Sequence, residues 1–269
     1  MPDNNNFSQG LIATRLLAES LVKAMSCFPS EPDSETAAYQ GVVHFFFCKA
    51  YKSYQAFALL CECGFVEDAE ILSRTIFEVW MQAQYMSTDP RELVRKFAEY
   101  DRVRRYLQYW RLKLVDSDRA RVIVSKLESD PSFPGLKQQY DRMSGQFLKT
   151  NRKKGDSPED FASNWWGGSI RWLAKQTQVD DIYVSVYGAQ SDLVHSSSGS
   201  MDEYVTKTED EWLAKCYPDG NHSDLPTTVR WASIFFLGIS KQVNDAWKLG
   251  LEQEIGATLS EIEKITVSS

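Results

Sequence analysis

From Phe7 to Met25, apolar residues return every three or four positions, with Leu11, Ile12, Leu16, Ala18, Leu21 and Val22. That spacing predicts a helix with one face on a core. Pro29 and Pro32 end it. Ser34 is placed to cap a second helix through Cys61, in which Val42, Val43, Phe46, Phe47, Ala50, Tyr54 and Phe57 leave few polar turns, so this helix is expected to be central. Gly64 supplies the left-handed exit that a helix end often needs. A third helix, Val66 to Met86, carries Ala69, Leu72, Ile76, Val79, Trp80 and Ala83 on one face, and its short connection predicts antiparallel pairing with the second. Asp89 as cap and Pro90 at the first helical position open a fourth helix through Phe97, Tyr100, Val103, Tyr106, Leu107 and Trp110.

The pattern is less regular after that. Two shorter helices are expected between Asp116 and Thr150, split by the Asp130 to Gly135 turn, and a polar stretch follows from Asn151 to Asp160. Asn164-Trp165-Trp166-Gly167-Gly168 reads as a tight turn into a helix from Ser169 to Gln176. Asp180 or Asp181 is expected to cap a helix reaching His195, Ser196 to Ser200 a loop, and Glu209 to Ser223 irregular. The last expected helix starts near Pro226 and holds Val229, Ala232, Phe235, Phe236, Ile239 and Val243. With no strand pattern and no internal repeat, the fold class is all-α: a multi-helix bundle built on long antiparallel helices. A single helical domain over residues 1–269 is expected, with an irregular insertion near 116–165.

Composition supports a substantial core: of 269 residues 43% are hydrophobic and 13% aromatic. A net charge of -7 argues against a surface that grips nucleic acid all over, because phosphates demand a local excess of Lys and Arg. Basic patches are nonetheless available at Arg91, Arg95, Arg102, Arg104, Arg105 and Arg111, and at Asn151 to Gly155; the ordinary reading of such runs is a solvated face. The five cysteines contain no CxxC pair and read as buried free thiols. No leader and no long apolar span is recognised, so a cytoplasmic chain without a membrane role is expected. Three histidines, no HExxH and no glycine-rich phosphate loop give no metal site and no cofactor.

Two groups of side chains carry candidate chemistry. Glu70, Arg74 and Glu78 lie four residues apart on one stripe of the third helix. The stripe reads either as an ion-pair ladder or as an arginine fork offered to a phosphate or carboxylate. Tyr187, Ser191 and His195 repeat the same step, placing two hydroxyls and an imidazole on one face, near a helix end that keeps the imidazole close to working pH. Ser191 and His195 form no hydrolase dyad, for there is no GxSxG elbow. His44 reads as a core histidine and His222 as exposed, while Gly167-Gly168 offers free amides to an anion.

Three ordered segments, Leu72 to Glu78, Asn164 to Ala174, and Tyr187 through Ser191 to His195, resemble a bacterial family of helical proteins of unknown function. The resemblance covers roughly residues 40–200. It implies a helical bundle in which Arg74, Glu78 and His195 converge. More loosely, the family is similar in plan to helical ribonuclease-like domains of phage-defence and toxin systems. Those domains carry an arginine shortly before the histidine on the same helix. Here none lies between Ala189 and His195, so Arg74 from another helix would take that role.

The resemblance thus implies metal-independent RNA cleavage, with His195 as general acid or base, Arg74 on the phosphate and Glu78 orienting them. Tyr187, Ser191, Asn164, Trp165 and Arg171 would position substrate. The competing expectation is a non-catalytic helical module. It would hold an anionic ligand, a nucleotide-like anion or a protein partner. A third, structural expectation makes the polar cluster a hydrogen-bonded seam, with exposed apolar residues of the long helices forming a homodimer or partner interface.

Overall fold

The structure, a computed structural model, describes residues 5–26, 34–152, 154–187, 205–207, 212–214 and 225–265. Four long helices come first: α1 (Asn5–Met25), α2 (Ser34–Cys63), α3 (Val66–Met86) and α4 (Pro90–Leu114). They are followed by α5 (Asp118–Glu128), α6 (Phe133–Met143), α7 (Ile170–Gln176), α8 (Asp180–Ile182), α9 (Leu225–Trp247) and α10 (Glu252–Glu263). The protein is an all-α multi-helix bundle. It also carries one small strand pair, in which β1 (Val205–Lys207) runs antiparallel to β2 (Trp212–Ala214) with Val205 opposite Ala214. Two compact units divide the chain: residues 1–88 with 174–269, and residues 89–173, with the boundary falling inside α7.

In the first unit the α2–α3 hairpin turns on Gly64 at φ +83, a conformation with a steric penalty for any side chain. Helix α9 packs on both members of the hairpin, and α1 packs on α9 and α10. Aromatic rings fill the shared interior. Phe236 of α9 stacks on Tyr54 of α2 with centroids 5.0 Å apart, and Phe235 lies 4.8 Å from Phe77 of α3. Each fully buried ring of this kind contributes about 2–3 kcal/mol through removal from water. The Tyr54 hydroxyl is satisfied by Ser233 Oγ at 2.6 Å, as burial of a polar group requires. Gly238 of α9 admits the indole of Trp80, since a Cβ there would lie 2.2 Å from Trp80 Nε1.

In the second unit α5 and α6 pack on α4. Asp89 caps α4 by accepting from the Glu92 amide at 3.2 Å, with Pro90 in the first turn. Tyr106 and Tyr140 stack at 4.3 Å across α4 and α6, and Tyr109 meets Phe133 edge-on at 4.7 Å. The polar stretch after Asn151 closes on itself: Asp160 accepts from the amides of Asp156 at 3.1 Å and Ser157 at 2.9 Å, and pairs with Arg152 at 3.1 Å. Much of the basic character of α4 is neutralised locally. Arg95 bridges Glu92 and Glu99, and Arg104 and Arg105 both pair with Asp101.

Several local expectations are corrected. His44 is exposed, because Val43, Phe46, Phe47 and Ala50 take the inward face of α2 and turn His44 and Cys48 outward, with Nε2 3.3 Å from Cys48 Sγ. Of the cysteines, Cys61 is buried, whereas Cys48 and Cys63 are exposed. Val179, not an aspartate, occupies the cap position of α8, and the chain then widens into a π-helical turn, Tyr183–Tyr187. A further helix, α10, follows α9 beyond the expected last one. Cys27, Cys216, His222, and the candidate site residues Ser191 and His195 lie outside the described residues.

Candidate functional site

Helix α3 presents Arg74 and Glu78 one turn apart, beside a buried face made of Ala69, Ser73, Ile76, Phe77 and Val79. The stripe is therefore at the margin of the core, with the Arg74 side chain 16% exposed and Glu78 35% exposed. Tyr187, at the end of the π-helical turn, is buried against both. Its ring is fixed by Phe77 at 5.8 Å and by Tyr183, stacked at 5.0 Å.

The three polar groups form a closed relay. Arg74 Nη2 donates to Tyr187 Oη at 2.6 Å, and the phenol donates onward to Glu78 Oε1 at 2.8 Å. The Arg74 guanidinium carbon also lies 4.5 Å from the centroid of the Tyr187 ring, within range of a cation–π attraction. Arg74 Nε stands 3.3 Å from Glu78 Oε1, which pairs the charges without aligning an N–H on the carboxylate. Glu70, the third member of the stripe, accepts from Thr228 of α9 at 3.0 Å, tying it to the helix behind.

Two donors in this cluster, Arg74 Nε and Nη1, are shielded from water and have no hydrogen-bond acceptor among the described residues. Burial, and then the neighbouring Glu78 carboxylate, push the Tyr187 phenol well above its ordinary value, so at neutral pH it is a hydrogen-bond donor and not a base. The cluster can thus hold and orient a negatively charged group through a fixed guanidinium. Among the described residues, no group of three or more His, Cys, Asp or Glu side chains is arranged to hold a metal.

Of the residues expected from sequence, Arg74, Glu78 and Tyr187 come together; Ser191 and His195 lie outside the described residues. Asn164, Trp165 and Arg171 belong to the second unit. There the Asn164 side chain is occupied by its own turn, accepting from the Gly167 amide at 2.8 Å and donating to the Gly168 carbonyl at 2.7 Å. Gly167 holds φ +82, and a Cβ on Gly168 would meet the Trp172 ring at 2.8 Å, so both glycines are required by the turn. Trp165 is buried edge-on against Phe97 at 5.5 Å and Trp166 at 5.8 Å, and Arg171 is exposed on α7.

The residue whose role sequence reasoning placed least well is Tyr187. The four-residue spacing makes it one of three groups on a helical face, whereas its hydroxyl is the link between Arg74 and Glu78. The signal available was its phenol set among Tyr183, Val184 and Val186, an apolar segment able to reach a core.

No described helix is long and apolar enough to cross a membrane. No curated protein and no solved structure matches the chain. The model of the Family of unknown function (DUF5677) matches residues 40–211, a span that includes Arg74, Glu78 and Tyr187, and the chain belongs to that family.

Proposed function

We propose that the Arg74–Tyr187–Glu78 cluster is a recognition site for an anionic, phosphate-bearing ligand of nucleotide type. The observation that carries this reading is Nη1 of Arg74, which has no partner among the described residues and belongs to a buried guanidinium already fixed by a phenol and a carboxylate. Leaving such a donor without a partner costs about 1–3 kcal/mol. A phosphate oxygen would remove that cost, and the planar fork of arginine suits phosphate geometry. Glu78 keeps the unliganded site from carrying an uncompensated buried charge.

Calorimetric titration of AMP and of inorganic pyrophosphate into wild type and Arg74→Gln tests the reading. Binding to wild type that disappears in the variant is expected, with both proteins first shown to be equally folded by circular dichroism. No binding to wild type, or equal binding to both proteins, overturns it.

The catalytic form of the same site is a metal-independent ribonuclease in which His195 acts as general acid or base and Ser191 helps to position the strand. What favours it is that Tyr187, anchored on Arg74, opens the segment on which Ser191 and His195 follow at four-residue steps.

A further inference from the structure

The charge of this protein is divided very unequally. Residues 89–173 hold 18 Lys and Arg against 12 Asp and Glu, a surplus of six positive charges in a chain whose overall balance is -7. The remaining residues are therefore 13 charges negative. An even distribution would make the smaller unit acidic, so its basic character is a property of that unit alone.

Part of this surplus lines a groove. Helices α4 and α6 pack together and leave two concavities of about 360 and 250 Å³ that share Arg102 and Gln139. Arg102 and Arg105 stand three residues apart on α4, and Gln139 and Arg142 three apart on α6, so each pair lies along one helix face. The carboxylate on this wall, Asp101, is engaged by Arg104 at 3.2 Å and Arg105 at 2.8 Å. Arg102 and Arg142 are exposed and make no ion pair among the described residues. Gln138 and Gln139 add amides that can both donate and accept. Gly135 lines the larger concavity, and a Cβ there would meet nothing within 4 Å, so the missing side chain leaves the groove open.

We propose that this α4–α6 groove binds the phosphodiester backbone of a single-stranded nucleic acid. Two unpaired guanidiniums in a concave, basic channel suit a linear polyanion, and a channel between two packed helices admits a strand and not a broad duplex. Contacts to phosphate from arginine and glutamine are sequence-independent, so binding is general and strongly salt-dependent. The site lies wholly within residues 89–173 and does not involve Arg74.

The test is fluorescence anisotropy of a labelled single-stranded oligonucleotide, as RNA and as DNA of the same sequence, at low and rising salt. Wild type is expected to bind with Kd on the order of 1–100 µM, with affinity falling by a slope of about -1.4 in log–log terms for two phosphate contacts. The R102E/R142E double variant should lose tenfold or more and show a slope shallower by about 1.4. Gly135→Leu, which fills the groove without changing charge, should lose severalfold.

Lys52→Glu with Lys241→Glu, at exposed positions of the other unit, makes the same charge change and should leave affinity within twofold. Losses as large in this control would reduce the effect to net charge and overturn the groove. Full binding by Gly135→Leu, or by R102E/R142E, overturns it as well. So does wild type that binds anionic lipid vesicles but neither oligonucleotide.

Discussion

Arg74 and Tyr187, 113 positions apart in the chain, meet at 2.6 Å, and through that bond the π-helical turn is fastened to α3. A phenol that is kept protonated by burial and by Glu78 can donate to the carboxylate while accepting from the guanidinium. Tyr187→Phe removes both bonds at once and leaves all three Arg74 guanidinium nitrogens without a hydrogen bond among the described residues. Stability should fall by about 1–3 kcal/mol, read as a lower denaturation midpoint at unchanged m. Combined with Arg74→Gln in a double-mutant cycle, the pair should show coupling of at least about 0.5 kcal/mol. Strict additivity would mean the two side chains do not act together.

The stripe on α3 was legible in the sequence because a four-residue step on a helix puts side chains on one face, whatever the fold. Its partner was not, because nothing local announces that Tyr187 crosses to it. The long helices were equally readable, with Val66–Met86 expected at both ends as found. Between Tyr183 and Tyr187 the expected helix widens into a π-helical turn, which changes the helical period, so a pattern that assumes 3.6 residues per turn loses phase there. His44 was misplaced because the run Val42 to Phe47 is apolar on nearly every side. An outward histidine is invisible in such a run until Val43, Phe46 and Phe47 are seen to face in.

Alkaline pH should weaken the fold. Burial pushes the Tyr54 phenol up to about 12, against 10.0 in its ordinary state, and Tyr187 is raised in the same direction. A raised folded-state value means the native state holds the proton longer than the unfolded chain. The contribution is thus complete below pH 10 and is lost as pH rises from 10 through 12. Denaturant titrations across that window should show falling stability, and Tyr54→Phe should show a shallower fall. Identical slopes for wild type and variant would contradict the assignment.

Close approach of α9 to Trp80 depends on the absence of a side chain at Gly238. Gly238→Ala should cost about 1–3 kcal/mol from overpacking, despite the better helix propensity of alanine. Trp80→Leu in the same chain should recover part of the loss in thermal melting. A melting point that rises for Gly238→Ala alone would show that the indole moves aside freely.

Asn164 holds its turn by two hydrogen bonds, to the Gly167 amide and the Gly168 carbonyl. Asn164→Ala should loosen the end of the second unit by about 1–2 kcal/mol. Hydrogen exchange at residues 164–173 should quicken, with protection in α2 and α3 unchanged. Faster exchange throughout the chain would instead mean that the turn supports both units.

Expression of wild type beside His195→Ala in bacteria separates recognition from cleavage. A site that only binds leaves total RNA intact and growth equal in the two cultures. RNA fragmentation and arrest confined to wild type, with both proteins equally folded, would establish His195 as part of a ribonuclease.

The second unit interrupts the first, and this sets an order of assembly during synthesis. Helix α3 ends at Met86 and its partner α9 begins at Leu225, so on the order of ten seconds of translation separates the emergence of the two. For that interval Phe77 and Trp80 on α3 and the aromatic face of α2 lack the rings of α9 that cover them in the finished protein. The intervening residues 89–173 form a contiguous unit and can close while the ribosome is still working. The nascent α2–α3 hairpin is therefore the stretch most exposed to chaperone capture and to aggregation, and release of the C-terminal helices is the step that ends that exposure.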